Sequence, residues 1–146
     1  MNAAPTASAP PPVLRRLGPP LAALAAVAAP TAYIARVDPN SPGHYPDCPF
    51  LVATGWWCPG CGGLRCVHAL ARGDLTTALH DNAAAVLLFA VLAVLWLRWA
   101  WAALTGGAPP RAAVGARRWV LIGLLLLVFT AVRNLPVGAG LAPALL

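Results

Sequence analysis

An unbroken run of fifteen apolar residues, Ala83 to Leu97, is the feature that most restricts how this chain folds. With the residues up to Leu104 it has the length of a transmembrane helix, which needs about 20 mostly apolar residues. The composition agrees, because 60% of the 146 residues are hydrophobic and only 10% are charged, against about 25% charged residues in soluble domains. These features exclude a soluble globular domain and predict an all-α integral membrane protein.

Three apolar stretches predict three membrane spans, at about residues 17–35, 83–104 and 119–136. The first stretch is also compatible with a signal peptide cleaved after Ala28, but its apolar character continues through Ile34 and favours a retained helix. Residues 1–16 are predicted to be a disordered Ala/Pro-rich tail. Residues 17–136 are predicted to form one membrane domain, and residues 137–146 an apolar tail.

The arginines indicate how the chain is oriented. All ten basic residues are arginine, and the net charge is +6. They lie near the ends of apolar stretches and form no basic face, so we expect a lipid bilayer as the partner and no nucleic acid. One side has Arg15, Arg16, Arg98, Arg111, Arg117 and Arg118, and the other has Arg36, Arg65, Arg72 and Arg133. This excess predicts a multi-pass plasma-membrane protein with a cytoplasmic N-terminus and an extracytoplasmic segment at residues 45–82.

All four cysteines fall within that segment, at Cys48, Cys58, Cys61 and Cys66. A short amphipathic helix is predicted from Cys58 to Arg72, with Pro59 in its first turn. If Cys58 is the N-cap, Cys58 and Cys61 share one helix face with Arg65, and Cys66 points elsewhere.

Three chemistries are open for these thiols. The oxidising exterior favours a structural disulfide, with Cys48 folding back on Cys58 or Cys61, and this alternative needs no cofactor. A lowered thiol pKa at a helix N-terminus would instead suit a redox-active Cys58–Cys61 pair. A metal site, with zinc as the ion, would use Cys48, Cys58 and Cys61, with His44 or water as the fourth ligand.

Arg133 lies inside the third apolar stretch, where an unpaired guanidinium is costly. The sequence predicts either a salt bridge from Arg133 to Asp74 or Asp81, or snorkelling of Arg133 to lipid phosphate. The salt bridge would clamp the cysteine segment onto the last span. Asp74 is also expected to cap a helix by accepting from the Thr77 amide. The full predicted polar clamp consists of Arg65, Asp74, Asp81, Asn82, Arg133 and Asn134.

A series of short motifs runs through this region. It comprises Cys48-Pro49-Phe50, Thr54-Gly55, Cys58-Pro59-Gly60-Cys61-Gly62, Arg65, Gly73-Asp74, Asn82 and the late Arg133-Asn134-Leu135-Pro136. Over about residues 45–136 the series resembles a bacterial membrane-protein family called domain of unknown function 2752. Leu64 departs from the family's usual Thr, Cys66 is an additional cysteine, and Ala83 replaces a frequent Pro. The resemblance implies the membrane architecture and the importance of the motif cysteines and Arg65, but no substrate.

The sequence has no Walker loop, Ser/His/Asp set or paired catalytic carboxylates, which favours a non-enzymatic role. We expect an accessory or docking protein whose partner is another membrane protein or a second copy of the chain. The alternatives are a thiol–disulfide or electron-transfer component using Cys58 and Cys61, and a metal-binding protein using Cys48 with that pair.

Overall fold

The computed structural model describes residues 13–108 and 115–142, and all its regular elements are helices, with no strand in these two ranges. The elements are α1 (Val13–Arg36), α2 (Pro49–Thr54), α3 (Gly63–Ala71), α4 (Leu75–Thr105), α5 (Ala116–Arg133) and a 3-10 helix (Pro136–Leu141). The all-α prediction is confirmed. Residues 13–16, predicted as part of the tail, are helical, whereas residues 1–12 and 143–146 lie outside the described residues.

Two of the described helices, α1 and α4, are long and apolar enough to cross a membrane, rather than the three predicted. α1 has 24 residues and α4 has 31, which corresponds to about 36 and 46 Å of helix. α5 has 18 residues, with Arg117, Arg118 and Arg133 near its ends. The uncharged stretch between these arginines, residues 119–132, spans only about 21 Å, less than the roughly 30 Å of a hydrocarbon core.

α1 and α4 form an antiparallel pair. Near one end, the Trp96 indole Nε1 donates to the Pro20 carbonyl at 2.9 Å. Near the other end, Nδ1 of His68 on α3 lies 2.7 Å from the Ile34 carbonyl, and α3 packs against both long helices. The cysteine segment therefore lies at the opposite end of this pair from the beginning of α1.

A break at Asn82 divides α4 into two helical parts. The Asn82 side-chain oxygen accepts from the Ala85 amide at 2.9 Å and so caps the second part. This part begins at Ala83, the start predicted for the second span. Asp74 caps the first part by accepting from the Thr77 amide at 2.9 Å, which confirms the predicted cap, and from the Thr77 hydroxyl at 2.6 Å.

The predicted helix from Cys58 to Arg72 is wrong in its first part. Residues 58–62 form turns, and α3 begins only at Gly63, after Gly62 at a φ of 80°. A glycine adopts this left-handed backbone without the steric cost of a Cβ. Cys58 is therefore not a helix N-cap, and the thiols do not share a helix face. The sequence also missed α2, which follows Cys48 with a proline at its first position.

The apolar core of the described residues is small and consists mainly of small side chains. Cys66 and Ala69 of α3 pack against Ala78 of α4, and four partly buried apolar residues, Leu70, Ala85, Val86 and Phe89, pack around them. Small residues let two helices approach closely, as in membrane-embedded helix pairs. Most large apolar side chains on α4 and α5 are exposed.

Candidate functional site

Three of the four cysteine thiols converge at the end of the helix pair. Cys48 directly precedes α2 and lies beside the turn containing Cys58 and Cys61. The Cys58 Sγ is 3.5 Å from the Cys48 Sγ and 2.8 Å from the Cys61 Sγ. The three sulfur atoms all lie within 4.8 Å of one another. We call Cys48, Cys58 and Cys61 the thiol cluster.

Cys66 and His44 lie outside the thiol cluster. The Cys66 side chain is 0% exposed between α3 and α4, and burial raises the pKa of its thiol. His44, the predicted fourth metal ligand, is exposed and does not belong to the group of potential metal ligands formed by the thiol cluster. Cys66 thus contributes to packing, and the structure does not bring His44 to the other predicted ligands.

All four cysteines are free thiols in the structure. The closest pair of sulfur atoms, those of Cys58 and Cys61, is 2.8 Å apart, against about 2.05 Å in a disulfide bond. The structural disulfide predicted from the compartment therefore stays a prediction.

The thiols of the cluster differ in acidity. Burial, followed by the neighbouring Cys58 thiol, raises the pKa of Cys61 to about 12. The pKa of Cys48 is lowered, mainly by hydrogen bonding from the Leu51 amide and then by the Cys61 side chain. Cys48 therefore ionises more easily than Cys61. A bound metal ion would overcome this difference, because coordination deprotonates a thiol.

The Arg133 guanidinium supports the turn by donating hydrogen bonds to main-chain carbonyls. The Arg133 side chain is 1% exposed. Its Nη1 donates to the carbonyls of Cys58 (3.0 Å) and Cys61 (3.2 Å), and its Nη2 donates to those of Cys61 (3.2 Å) and Asp81 (3.3 Å). The guanidinium also lies over the Phe129 ring, 5.0 Å from its centroid. Arg133 is thus held by carbonyl oxygens, an aromatic ring and the surrounding protein.

These contacts differ from the predicted salt bridge. Arg133 reaches the main-chain carbonyl of Asp81, whereas the Asp74 carboxylate bonds Thr77. Arg133 can bind the main chain here because the non-helical backbone at Asn82 interrupts α4 and leaves the carbonyl of Asp81 available. Arg65 lies half-buried on α3 and interacts electrostatically with Asp81.

Two asparagines complete the support of the turn. The Asn82 amide donates to the carbonyls of Pro59 at 2.9 Å and Cys61 at 3.0 Å. The Asn134 side chain accepts from the Trp57 amide at 2.8 Å and donates to the Trp57 carbonyl at 2.9 Å. We call Asn82, Arg133 and Asn134 the polar cradle. Together they hold four carbonyls of residues 57–61, and such groups must find partners wherever water is scarce.

The sequence singled out all three cradle residues but missed what they bind. Turn carbonyls carry no signal of their own in a sequence. The available hint is the Cys-Pro-Gly-Cys run, because a proline and a glycine disfavour a regular helix and so leave main-chain groups without helical partners. The role of Trp57, whose main chain pairs with Asn134, had no such signal.

Comparison with known proteins yields one family. No curated protein and no solved structure matches the chain. A family model described as "Protein of unknown function (DUF2752)" matches residues 48–96. This range holds the thiol cluster, α3 and most of α4, whereas Arg133 and Asn134 lie beyond it. The match confirms, over residues 48–96, the family resemblance that the sequence motifs indicate.

Proposed function

We propose that this protein binds a thiophilic metal ion, zinc in the simplest case, through Cys48, Cys58 and Cys61 at a membrane surface. The observation that carries the proposal is the convergence of the three sulfur atoms to within 4.8 Å. Thiolates bind zinc at about 2.3 Å in a tetrahedron, which separates the sulfur atoms by about 3.8 Å. The Cys48–Cys58 distance of 3.5 Å is close to this value. The Cys58–Cys61 pair would widen by about 1 Å through side-chain rotation.

The charges around the thiol cluster support the same proposal. A divalent ion with three thiolates carries one net negative charge. The guanidinium of Arg133 hydrogen-bonds the carbonyls of two ligand residues, Cys58 and Cys61, and brings one positive charge to this site. Groups behind the ligands commonly orient them and stabilise the charge of a metal centre. The polar cradle would thus orient the ligand residues and, through Arg133, balance the negative charge of the metal site.

We further propose that α1, α4 and the shorter α5 cross the plasma membrane, with a cytoplasmic N-terminus and an extracytoplasmic thiol cluster. The arginine distribution supports this orientation. The buried contacts of Arg133 support α5 as a span, because its charge is enclosed by protein carbonyls and need not enter hydrocarbon. After removal of bound metal and reduction, an impermeant maleimide should label intact cells. Labelling only in broken cells would show that the thiol cluster faces the cytoplasm and would overturn the proposed orientation.

Metal analysis of the purified protein tests the proposed function. Protein purified in detergent after growth with zinc should contain about one metal ion per chain, as expected for one site. Cys58→Ser should lose most of this metal, whereas Cys66→Ser, the matched control outside the cluster, should keep it.

Folding must be separated from metal binding in this test. Circular dichroism and gel filtration would show whether Cys58→Ser still folds. For the wild type, a thiol-blocking mercurial should release the bound metal. Folded wild-type protein without metal, or equal metal in Cys58→Ser and wild type, would overturn the proposal.

Thiol–disulfide exchange is the second candidate, favoured by the 2.8 Å contact between the Cys58 and Cys61 sulfur atoms. In this reaction a disulfide of a second protein would take up two electrons and two protons. The Cys58 and Cys61 thiols would supply both and become joined by a disulfide. Acid-trapped protein would then have two fewer cysteines open to alkylation. A metal site predicts alkylation of all four after denaturation.

A further inference from the structure

We infer that the fourth coordination position of the metal centre lies on the outer side of the cluster, is occupied by exchangeable water, and accepts a thiol or imidazole from a second molecule in its place. This inference rests on the proposed metal binding. It adds that the site exchanges a ligand with its surroundings, rather than enclosing the ion as a structural zinc site does.

The number of available ligands is the first observation. Among the described residues, the cluster contains three thiols and no fourth Cys, His, Asp or Glu. Cys66 is fully buried against α4, and His44 is exposed outside the cluster. Structural zinc sites take four protein ligands, whereas sites with three keep one position for water or another ligand.

The direction of the open position is the second observation. The inner side of the turn is filled by Arg133 and Asn82, which are 1% and 0% exposed. Cys61, directly above them, is 6% exposed. Cys48 and Cys58 are partly exposed, and the neighbouring Pro59 and Gly60 are exposed. A fourth ligand therefore approaches from the side opposite the cradle.

Gly60 keeps this approach clear. A Cβ built on Gly60 would lie 3.8 Å from the Cys58 sulfur and meet no other atom within 4 Å apart from its chain neighbours. The backbone φ of Gly60 is not in the left-handed region, so a larger residue is compatible with the turn. A longer side chain at this position would cover the outer side of Cys58 without touching the cradle.

The exchange is simple ligand substitution. An incoming thiol loses its proton to solvent, forms a sulfur–metal bond and displaces the water molecule at the fourth position. Imidazole displaces the water through its neutral nitrogen. No electron is transferred, and Cys48, Cys58 and Cys61 remain bound throughout.

Cobalt(II), whose visible spectrum reports its ligands, provides the test. Purified full-length protein is loaded with cobalt(II) in detergent and titrated separately with imidazole and 2-mercaptoethanol. We expect a saturable spectral change with each probe. Gly60→Leu should retain the cobalt and weaken probe binding about tenfold, as steric crowding of a site does. Gly63→Leu is the matched control, because a Cβ on Gly63 meets nothing within 4 Å.

The outcomes separate the two proposals. A cobalt–thiolate spectrum that neither probe alters would overturn the open position and leave metal binding intact. Equal probe affinities in Gly60→Leu and Gly63→Leu would overturn the assigned direction of approach. Failure of folded protein to bind cobalt or zinc would overturn the metal site itself.

Discussion

The turn at residues 57–61 and helix α3, which follows it directly, are held in place in opposite ways. The turn is fixed by hydrogen bonds from Asn82, Arg133 and Asn134, which lie far from it in the chain. α3 is held mainly by the apolar contacts of Cys66 and Ala69 with Ala78, together with one hydrogen bond from His68 to the Ile34 carbonyl. The cysteines divide in the same way. Cys58 and Cys61 of the thiol cluster lie in the turn, whereas Cys66 lies in the interface between α3 and α4.

This difference shows what each kind of support can do. Hydrogen bonds are directional, so the cradle sets the orientation of each carbonyl and, with it, the position of the Cys58 and Cys61 side chains. Apolar contacts are non-directional and tolerate volume-conserving changes. Changes in the cradle should therefore affect metal binding and stability together, whereas changes in α3 should affect stability alone.

Loss of Arg133 should have the largest effect. Arg133→Met removes the hydrogen bonds donated to the carbonyls of Cys58, Cys61 and Asp81. We expect the free energy of unfolding to fall by about 3–5 kcal/mol and the bound metal to be lost. Arg98→Met is the control, because Arg98 is exposed on α4. Circular dichroism melting curves in detergent measure the stability of the two variants, and metal analysis measures their metal content. Equal melting temperatures for the two variants would show that the cradle does not support the turn.

Asn82→Asp separates the two roles of Asn82. The aspartate oxygen still caps Ala85, but it cannot donate to the carbonyls of Pro59 and Cys61. We expect destabilisation by about 2–3 kcal/mol, reduced metal content and an intact α4. Melting curves and metal analysis, with Asn82→Ala for comparison, check this. A metal content equal to that of the wild type would contradict the directional role of Asn82.

Gly138→Ala tests the contact between the 3-10 helix and the end of α5. A Cβ on Gly138 would overlap the Val132 carbonyl, whereas a Cβ on Gly140 would meet open space. We expect Gly138→Ala to cost about 1–3 kcal/mol and Gly140→Ala to change little. Parallel melting curves would check the pair, and similar curves would mean that the 3-10 helix does not pack as described.

Cys66→Ala should affect stability but not metal binding. The side chain is fully buried in the small α3–α4 core, so removal of its sulfur should cost about 1 kcal/mol. Cys66→Ser should cost more, because it buries a hydroxyl among apolar groups. Melting curves and metal analysis check both variants. A Cys66→Ala protein that is folded but free of metal would contradict the separation between the cluster and α3.

The smallest effect concerns pH. Hydrogen bonds from the Thr77 hydroxyl and amide lower the pKa of Asp74 below its ordinary 3.8. This cap therefore contributes stability above pH 3.8, and the contribution is lost as the pH falls through the lower pKa of the folded state. The wild type should lose stability relative to Asp74→Asn between about pH 5 and pH 2. Parallel pH profiles of the two melting temperatures would contradict this.

Local signals predicted the ends of elements better than the contacts between them. The apolar run begins at Ala83, where the second helical part of α4 also begins, and the Gly-Asp-x-x-Thr pattern predicted the Asp74 cap. The start of α3 was misplaced because Pro59 resembles a first-turn proline, although Pro49 begins the preceding helix α2. Short-range patterns cannot distinguish a proline in a turn from one that begins a helix.

The sequence predicted which residues form the candidate site, but not the contacts that these residues make with one another. The cluster cysteines and cradle residues were all identified from their types and spacing. The partner of Arg133 was expected to be a carboxylate, since charges in a sequence are paired most simply with opposite charges. Unsatisfied turn carbonyls arise only after the chain folds, so their need for donors is invisible in the sequence.

X-ray absorption at the zinc edge of the purified protein tests the central claim most directly, since it reads the atoms bound to the ion. We expect three sulfur atoms at about 2.3 Å from the zinc ion and one nitrogen or oxygen at about 2.0 Å. Cys66→Ser should give the same spectrum. A coordination shell of nitrogen and oxygen alone, or one unchanged in Cys58→Ser, would contradict it.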